Sequence, residues 1–404
     1  MYSNIKVRKN LRTLIEDLYP ENIGQNDIMI SGIETNSKNV SNGDLFIAIN
    51  GNAQDGHFYI NDAIKNGASA VISNEKIIND FDKPVINIEN TRKAASIISS
   101  RFHDNPSNDL TIIGITGTNG KTTTAYLLKQ CLDCAGFKTA QIGTTGVIAE
   151  GYKQEKTLTT PDAVTIQKLL KSLVNDGFSH VVMEVSSHAL HQLRVHNVHF
   201  DVAIFTNLTP EHLDYHKTME NYFKVKSTLF NLLNEKNGKA VINYDDYYGK
   251  KLASKFNCDV ALFSKTNLTK SFFSQINDYK NKIDGIIKSN TGSYTIESNL
   301  IGSYNLENIL AAVTTLDSLK ISENAITQGI KTCKNVPGRL ESFLVKTGAK
   351  VIIDYAHTPD AYDKILSTLK SVLTKENNLY LVSLYENIKS DQIIFKEDQK
   401  NPNE

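Results

Sequence analysis

From residue 110 to about 334, short apolar, β-branched runs alternate with stretches whose apolar residues recur at helical spacing. This alternation predicts strands at 139–142, 180–185, 202–206 and 239–242, and helices at 163–176, 305–318 and 323–333. Such a succession is that of a mostly parallel sheet covered by helices on both faces. Residues 261–299 are instead polar and alternating, which predicts antiparallel strands at the edge of that sheet.

Two flanking regions read differently. Before residue 105, strand-like runs at 32–33, 44–49 and 70–72 and a helical pattern at 59–66 are separated by Gly, Asn and Asp, as in a small α/β domain. The polar segment His103-Asp-Asn-Pro-Ser-Asn-Asp109 reads as a linker. From Val336-Pro-Gly-Arg339 onward, strands near 344–345, 351–354 and 379–382 and a helix at 361–373 outline a third unit of about seventy residues, small for an α/β domain. The expected organisation is therefore 1–105, 106–334 and 335–404.

Within this framework one stretch stands out, Gly114-Ile-Thr-Gly-Thr-Asn-Gly-Lys-Thr-Thr-Thr124. It joins a β-branched run at 110–113 to a helical pattern at 122–135 that stops at Gly136. Glycines at 117 and 120 let the main chain approach a polyphosphate. The first N–H groups of the helix point at it, Lys121 adds a point charge, and the Thr122 hydroxyl can hold Mg²⁺. The ligand class is ATP or GTP. The glycine spacing departs from the usual loop pattern, because Ile115 stands five residues before Gly120.

Glu184 closes an apolar run, so it falls where α/β sheets bind ligands. It is a candidate for Mg²⁺, against the plainer reading of a solvated strand-end acid. Seven of the ten histidines lie between His180 and His216, at loop-like spacings that lack a cysteine partner for zinc. Most read as surface or hydrogen-bonding residues, and His212 is the best candidate for a metal or phosphate contact. Lys226, on an expected helix at 219–233, reads by itself as a solvated cation.

Charge narrows the partners. Forty-four basic residues balance forty-four acidic ones with no long run of either sign, which argues against nucleic acid or an acidic membrane surface. Four cysteines cannot frame so long a chain with disulfides, and Cys131-Leu-Asp-Cys134 falls late in the expected helix, where packing is the favoured reading. With no signal-like start and no span-length apolar segment, the expectation is a cytoplasmic, soluble monomer.

These motifs together resemble the Mur ligases, in the branch that adds the third peptide residue to UDP-N-acetylmuramoyl-dipeptide. The resemblance covers roughly residues 30–380. It rests on Gly117 to Thr123, Thr159-Thr-Pro-Asp162, Glu184-Val-Ser-Ser-His-Ala-Leu190, Asn207 to His216 and Asp354-Tyr-Ala-His-Thr-Pro-Asp360. It implies a three-domain fold with a UDP-binding first domain, a central ATPase domain and a Rossmann-like third domain.

It also implies ATP-dependent formation of an acyl phosphate on the substrate carboxylate, followed by attack of a diamino acid, L-lysine or meso-diaminopimelate. By resemblance, Thr122 and Glu184 hold one Mg²⁺ and His212 another, and Lys226 is carbamylated by CO₂. Gly117, Thr118, Asn119, Gly120, Lys121, Thr122, Thr123, Asn305, Asn308, Arg339, Asp354 and His357 resemble nucleotide contacts. Ser37 resembles a uridine-site residue, and Thr159, Thr160, Ser186, Gln192 and Arg194 resemble contacts to the sugar, diphosphate or dipeptide. Folylpolyglutamate synthase shares the nucleotide loop, but the 354–360 motif and the first domain argue against it.

The resemblance fades after Val382. Residues 383–404 show neither the glycine-rich segment nor the Asp-Asn-Pro-Arg-like motif that selects the diamino acid in the family. The expectation is a shortened ligase that keeps its ATP and UDP-sugar sites and ligates weakly. Its alternative is a silent nucleotide-binding relic.

Overall fold

The computed structural model describes residues 7–18, 27–51, 54–75, 81–154, 158–256, 260–266, 269, 271–280, 282–346, 350–373 and 379–381. The chain opens with β1 (Lys9–Asn10), α1 (Leu11–Ile15) and β2 (Met29–Ile30), the two strands pairing antiparallel. A four-stranded parallel sheet follows, in the order β3 (Gly32–Glu34), β4 (Asp44–Ile47), β5 (Ala70–Ser73) and β6 (Val85–Asn87), with α2 (Ile60–Lys65) and α3 (Thr91–Phe102). All four residues of β4 and of β5 are buried, as expected of parallel strands covered on both faces.

The central sheet has ten strands. In chain order they are β7 (Thr111–Thr116), β8 (Thr139–Gly143), β9 (Gly146–Ile148), β10 (His180–Glu184), β11 (Val202–Phe205), β12 (Lys239–Asn243), β13 (Val260–Ser264), β14 (Ser271–Asp278), β15 (Ile283–Lys288) and β16 (Ser293–Ser298). In space they run β16-β15-β14-β13-β12-β11-β7-β10-β8-β9. The five strands from β12 across to β8, together with β13, are parallel where they pair, while β8–β9, β14–β15 and β15–β16 are antiparallel.

The edge reading of 261–299 is thus correct in kind, with one difference: β13 joins the parallel set, pairing with both β12 and β14 in that sense. One face of the sheet carries α4 (Lys121–Cys134), α10 (Ser303–Ser318) and α11 (Glu323–Thr332), their apolar residues forming one core with Ile113, Ile115, Val182 and Ile204. The other face buries Ile166, Leu170 and Leu173 of α5 (Ala163–Asn175) and Tyr222 and Phe223 of α8 (Met219–Ser227) against Ile112, Val181 and Ala203. Alternate side chains of each strand thus feed opposite cores.

Two short helices follow strands β10 and β11, α6 (Ser187–His191) and α7 (Leu213–His216), and α9 (Tyr247–Ala253) follows β12. The helix expected at 219–233 ends at Ser227, and a 3-10 turn continues over Thr228–Leu232. Beyond α11 lie the antiparallel pair β17 (Glu341–Leu344) and β18 (Lys350–Ile353) and helix α12 (Pro359–Val372), capped by the Thr358 side chain. The strand expected at 379–382 is not seen at 379–381, which carry no regular structure, and Val382 lies outside the described residues. Among the described residues no helix is long and apolar enough to cross a membrane.

Candidate nucleotide and ligation site

The order of strands places β7 between β10 and β11, so the chain leaves β7 toward one side of the sheet and later returns to the other. Ligands of open α/β sheets bind at the carboxyl ends of strands beside such a reversal. The loop between β7 and α4 lies there. Gly120 (φ 88°) is the residue before the first helical turn, a left-handed position that favours glycine. A side chain at Gly117 (φ 149°) would collide with the Thr206 hydroxyl.

The loop is held from the neighbouring strand. Thr206 Oγ1 donates to Asn119 O at 2.6 Å, and Asn207 Oδ1 accepts from Asn119 N at 2.9 Å. Lys121 folds back, its Nζ donating to Gly117 O (2.9 Å) and Thr118 O (2.8 Å). Burial lowers its pKa, opposed by the carboxylates of Glu211 and Glu184.

Glu184, fully buried, ends β10 facing the loop. Its Oε2 accepts from Thr122 Oγ1 at 2.9 Å, and Thr144 supplies an N–H and a hydroxyl at 3.1 Å. Gly143 carries no Cβ, and one would collide with this carboxylate. A buried carboxylate converging with a hydroxyl is a hard oxygen donor set, which fits Mg²⁺. The solvated reading of Glu184 is therefore corrected.

Lys226 requires a larger correction. It is buried, because α8 turns this face toward the loop instead of toward water. Its Nζ donates to Gly117 O at 2.8 Å and stands 4.8 Å from the centre of the Tyr222 ring. Burial, reinforced by the charge of Lys121 and opposed by Glu211, holds its pKa well below the ordinary value. Both lysines thus share one backbone carbonyl.

His212 adopts a left-handed backbone (φ 54°) and sits beside Glu211, with His188 edge-on at 4.7 Å between ring centres. Burial lowers the pKa of both histidines. Of the histidines read as surface or hydrogen-bonding residues, His216 and His180 are of the second kind: both are buried, His216 meeting Ser187 Oγ at 2.9 Å and stacking on Tyr222, and His180 Nδ1 lying 2.9 Å from Ser179 Oγ.

One cavity is lined by Thr118, Lys121, Thr122, Thr144, Thr159, Ser186, Glu211, His212, Arg339 and His357, among others. Thr160 lies behind it, its hydroxyl donating to Glu184 O (2.9 Å) and accepting from Ser186 N (3.0 Å). Arg194 donates to Thr160 O at 2.8 Å and to Gln192 Oε1 at 2.7 Å, which orients the guanidinium but leaves it outside the lining. Ser37 is buried in the first 3-10 turn after β3 and belongs to neither cavity.

A second cleft adjoins the first and holds Gly120, Thr123, Tyr304, Asn305, Asn308, Arg339, Asp354, His357 and Lys364. Asn308 Nδ2 donates to Asn305 Oδ1 at 2.8 Å. Asp354 accepts from Leu340 N and Ala356 N, both at 2.8 Å, and burial raises its pKa. Arg339 Nη2 donates to Thr122 Oγ1 at 3.2 Å, bringing the chain beyond α11 onto the phosphate loop.

Sequence reasoning missed Glu211, Thr144, Asp360 and Lys364. Glu211 carried a signal as a carboxylate next to His212, and Asp360 as the closing residue of the 354–360 motif. Burial raises its pKa, but the His357 hydrogen bond and the charges of Lys121, His212 and Lys226 prevail and bring it down to about 2.

A glycine loop that opens a helix, beside a buried strand-end carboxylate, defines a nucleotide-binding α/β protein of the phosphate-loop kind. Two family models match the chain, the Mur ligase middle domain over residues 115–316 and the Mur ligase family catalytic domain over residues 29–103. The UDP-N-acetylmuramoyl-L-alanyl-D-glutamate--2,6-diaminopimelate ligase of Clostridium botulinum is 39% identical over 393 residues, covering 93% of this chain and 77% of that protein.

A solved structure of a ligase with the same name superposes with a TM-score of 0.75 at 27% identity, covering 91% of this chain and 75% of that one. The MurF ligase of Thermotoga maritima, solved in complex with ADP, shares the fold at a TM-score of 0.61 and 24% identity over 84% of this chain and 74% of its own. The chain belongs to the Mur ligase family.

Proposed function

We propose that the chain is an ATP-dependent ligase that joins meso-diaminopimelate to the D-glutamate carboxylate of UDP-N-acetylmuramoyl-L-alanyl-D-glutamate, a step of peptidoglycan synthesis. The observation that carries this reading is the shared cavity: Lys121 and Thr122 of the phosphate side, with Glu184 bonded to Thr122 just behind the wall, open onto the same space as Thr159, Ser186 and His212. The names of the similar ligases supply the substrate class.

The chemistry asks for positioning more than for a protein nucleophile. The substrate carboxylate takes the γ-phosphoryl group of ATP, ADP leaves, and the amine of the diamino acid displaces phosphate. Loop N–H groups and Lys121 hold the polyphosphate. Asn305, Asn308, Arg339, Asp354 and His357 line its nucleoside side, while Ser186 and Thr159 receive the dipeptide end. Gln192 and Arg194 support Thr160 from behind, and Ser37 marks the uridine end of the substrate on the first sheet.

Thr122 and Glu184 would hold one Mg²⁺ and His212 a second, which neutralise charge on the transferring phosphoryl group. Lys226, whose low pKa favours the neutral amine that reacts with CO₂, would as its carbamate add an anion behind His212.

The test is phosphate release by the purified chain with MgATP, UDP-N-acetylmuramoyl-dipeptide and either meso-diaminopimelate or L-lysine, with product mass read in parallel. Slow release that requires all three substrates, with the tripeptide mass in the diaminopimelate arm, is expected. Release independent of the dipeptide would sink the proposal.

A further inference from the structure

Among the described residues, three side-chain contacts tie 339–346 and 350–360 to the loops and helix around the central sheet. Arg339 reaches Thr122, and Asn119 Nδ2 donates to Asp360 Oδ2 at 3.1 Å. Both of these touch the phosphate loop itself, so a polyphosphate entering the loop competes with them. The third contact is of another kind. His357 Nε2 meets Glu211 Oε1 at 2.8 Å, and Glu211 stands between β11 and α7, outside the phosphate loop.

Glu211 is braced where it stands. Its side chain is only 10% exposed, and its Oε2 accepts from Tyr222 Oη at 3.3 Å, whose ring is fully buried under α8. The other ring nitrogen of His357, Nδ1, lies 2.8 Å from Tyr355 O. A backbone carbonyl and a carboxylate can only accept, so both ring nitrogens donate and the pair is an imidazolium against a carboxylate. Charge-assisted bonds of this sort fix direction as well as distance.

We propose that Glu211 is a positioning residue: through His357 it clasps the segment 339–360 over the phosphate loop before nucleotide arrives, completing the cleft that Arg339, Asp354 and Lys364 line. The inference rests on the nucleotide-binding reading for its consequence, and on geometry alone for the clasp.

Hydrogen exchange on the ligand-free full chain tests the clasp, and calorimetric titration with ADP tests its consequence. In Glu211→Gln, amides of 339–360 should exchange several-fold faster while those of α4 keep their rate, and ADP should bind about tenfold more weakly. His357→Asn, which alters the exposed partner and so spares the fold, should do the same. The double variant should add nothing further, and the swapped pair Glu211→His with His357→Glu should restore part of the protection.

Unchanged exchange at 339–360 in His357→Asn, or additive effects in the double variant, would overturn the clasp. Protection that responds to these substitutions in a chain that binds no ADP would support the clasp and refute the nucleotide reading instead.

Discussion

Replacing Lys226 by Met should make the fold more stable while abolishing ligation. The Nζ of Lys226 is buried against Gly117 O and the Tyr222 ring, with a second cation, Lys121, on the same carbonyl. Holding a buried amine away from water is costly whether it stays charged or gives up its proton, and an apolar residue of similar volume in its place is neutral or stabilising by about 1–4 kcal/mol. Against this stands the loss of one hydrogen bond, about 1 kcal/mol.

Gly117 O is not orphaned by the change, because Lys121 Nζ still donates to it at 2.9 Å. The net expectation is a gain of up to about 3 kcal/mol. Urea unfolding in CO₂-depleted buffer at pH 7 reads this as a higher midpoint with an unchanged slope. Phosphate release with the full substrate set should disappear in the same variant. A Lys226→Met chain less stable than its parent by 1 kcal/mol or more would show that the buried amine is well compensated, and the reasoning from burial would fail.

Other outcomes follow from single contacts. Gly143→Ala sets a methyl group against the Glu184 carboxylate and should lower kcat for phosphate release by about 10²-fold, with the thermal midpoint little changed. Burial, with Lys168, Lys171 and Lys9 nearby and Asp104 opposing, lowers His103 to about 4 from 6.5, so its neutral form belongs to the fold. Stability is therefore complete above pH 6.5 and declines as pH falls toward 4, by about 2 kcal/mol once solvent screening trims the full linkage value of about 3. His103→Asn should flatten that decline in urea titrations at pH 7 and 4.5. Gly329→Ala drives a methyl into the Cys131 backbone where α11 crosses α4, and should cost about 1–3 kcal/mol by denaturant unfolding.

Much of the central sheet could be read from the chain because its strands are apolar runs bounded by turn residues. The β7 loop was legible because glycine and lysine spacing expresses local backbone geometry. Short elements escaped: β6 and the two-residue strands β1 and β2 carry too few periodic positions to register, whereas α3 went unread although Ala94, Ala95 and Ile98 recur at helical spacing, because small and polar residues dominate its buried face.

Lys226 and Glu211 mark the other limit. Nothing in a helix of mixed polarity tells which face turns inward, so the burial of one lysine and the pairing of one glutamate with a histidine 146 residues away are tertiary facts. Family resemblance named Lys226 where periodicity failed, and named neither Glu211 nor its partner contact.

The position of β7 between β10 and β11 has a thermodynamic corollary. Residues 117–122, 144, 184–186 and 206–226 become neighbours only after two crossovers have closed around that strand, so an unfolded chain has no such pocket to offer. Any ligand selective for the finished pocket then acts as a mass-action stabiliser of the whole sheet, worth about 2.7 kcal/mol at a hundred times its dissociation constant. A cell rich in the right nucleotide would keep this chain out of reach of proteases that a starved cell would let in.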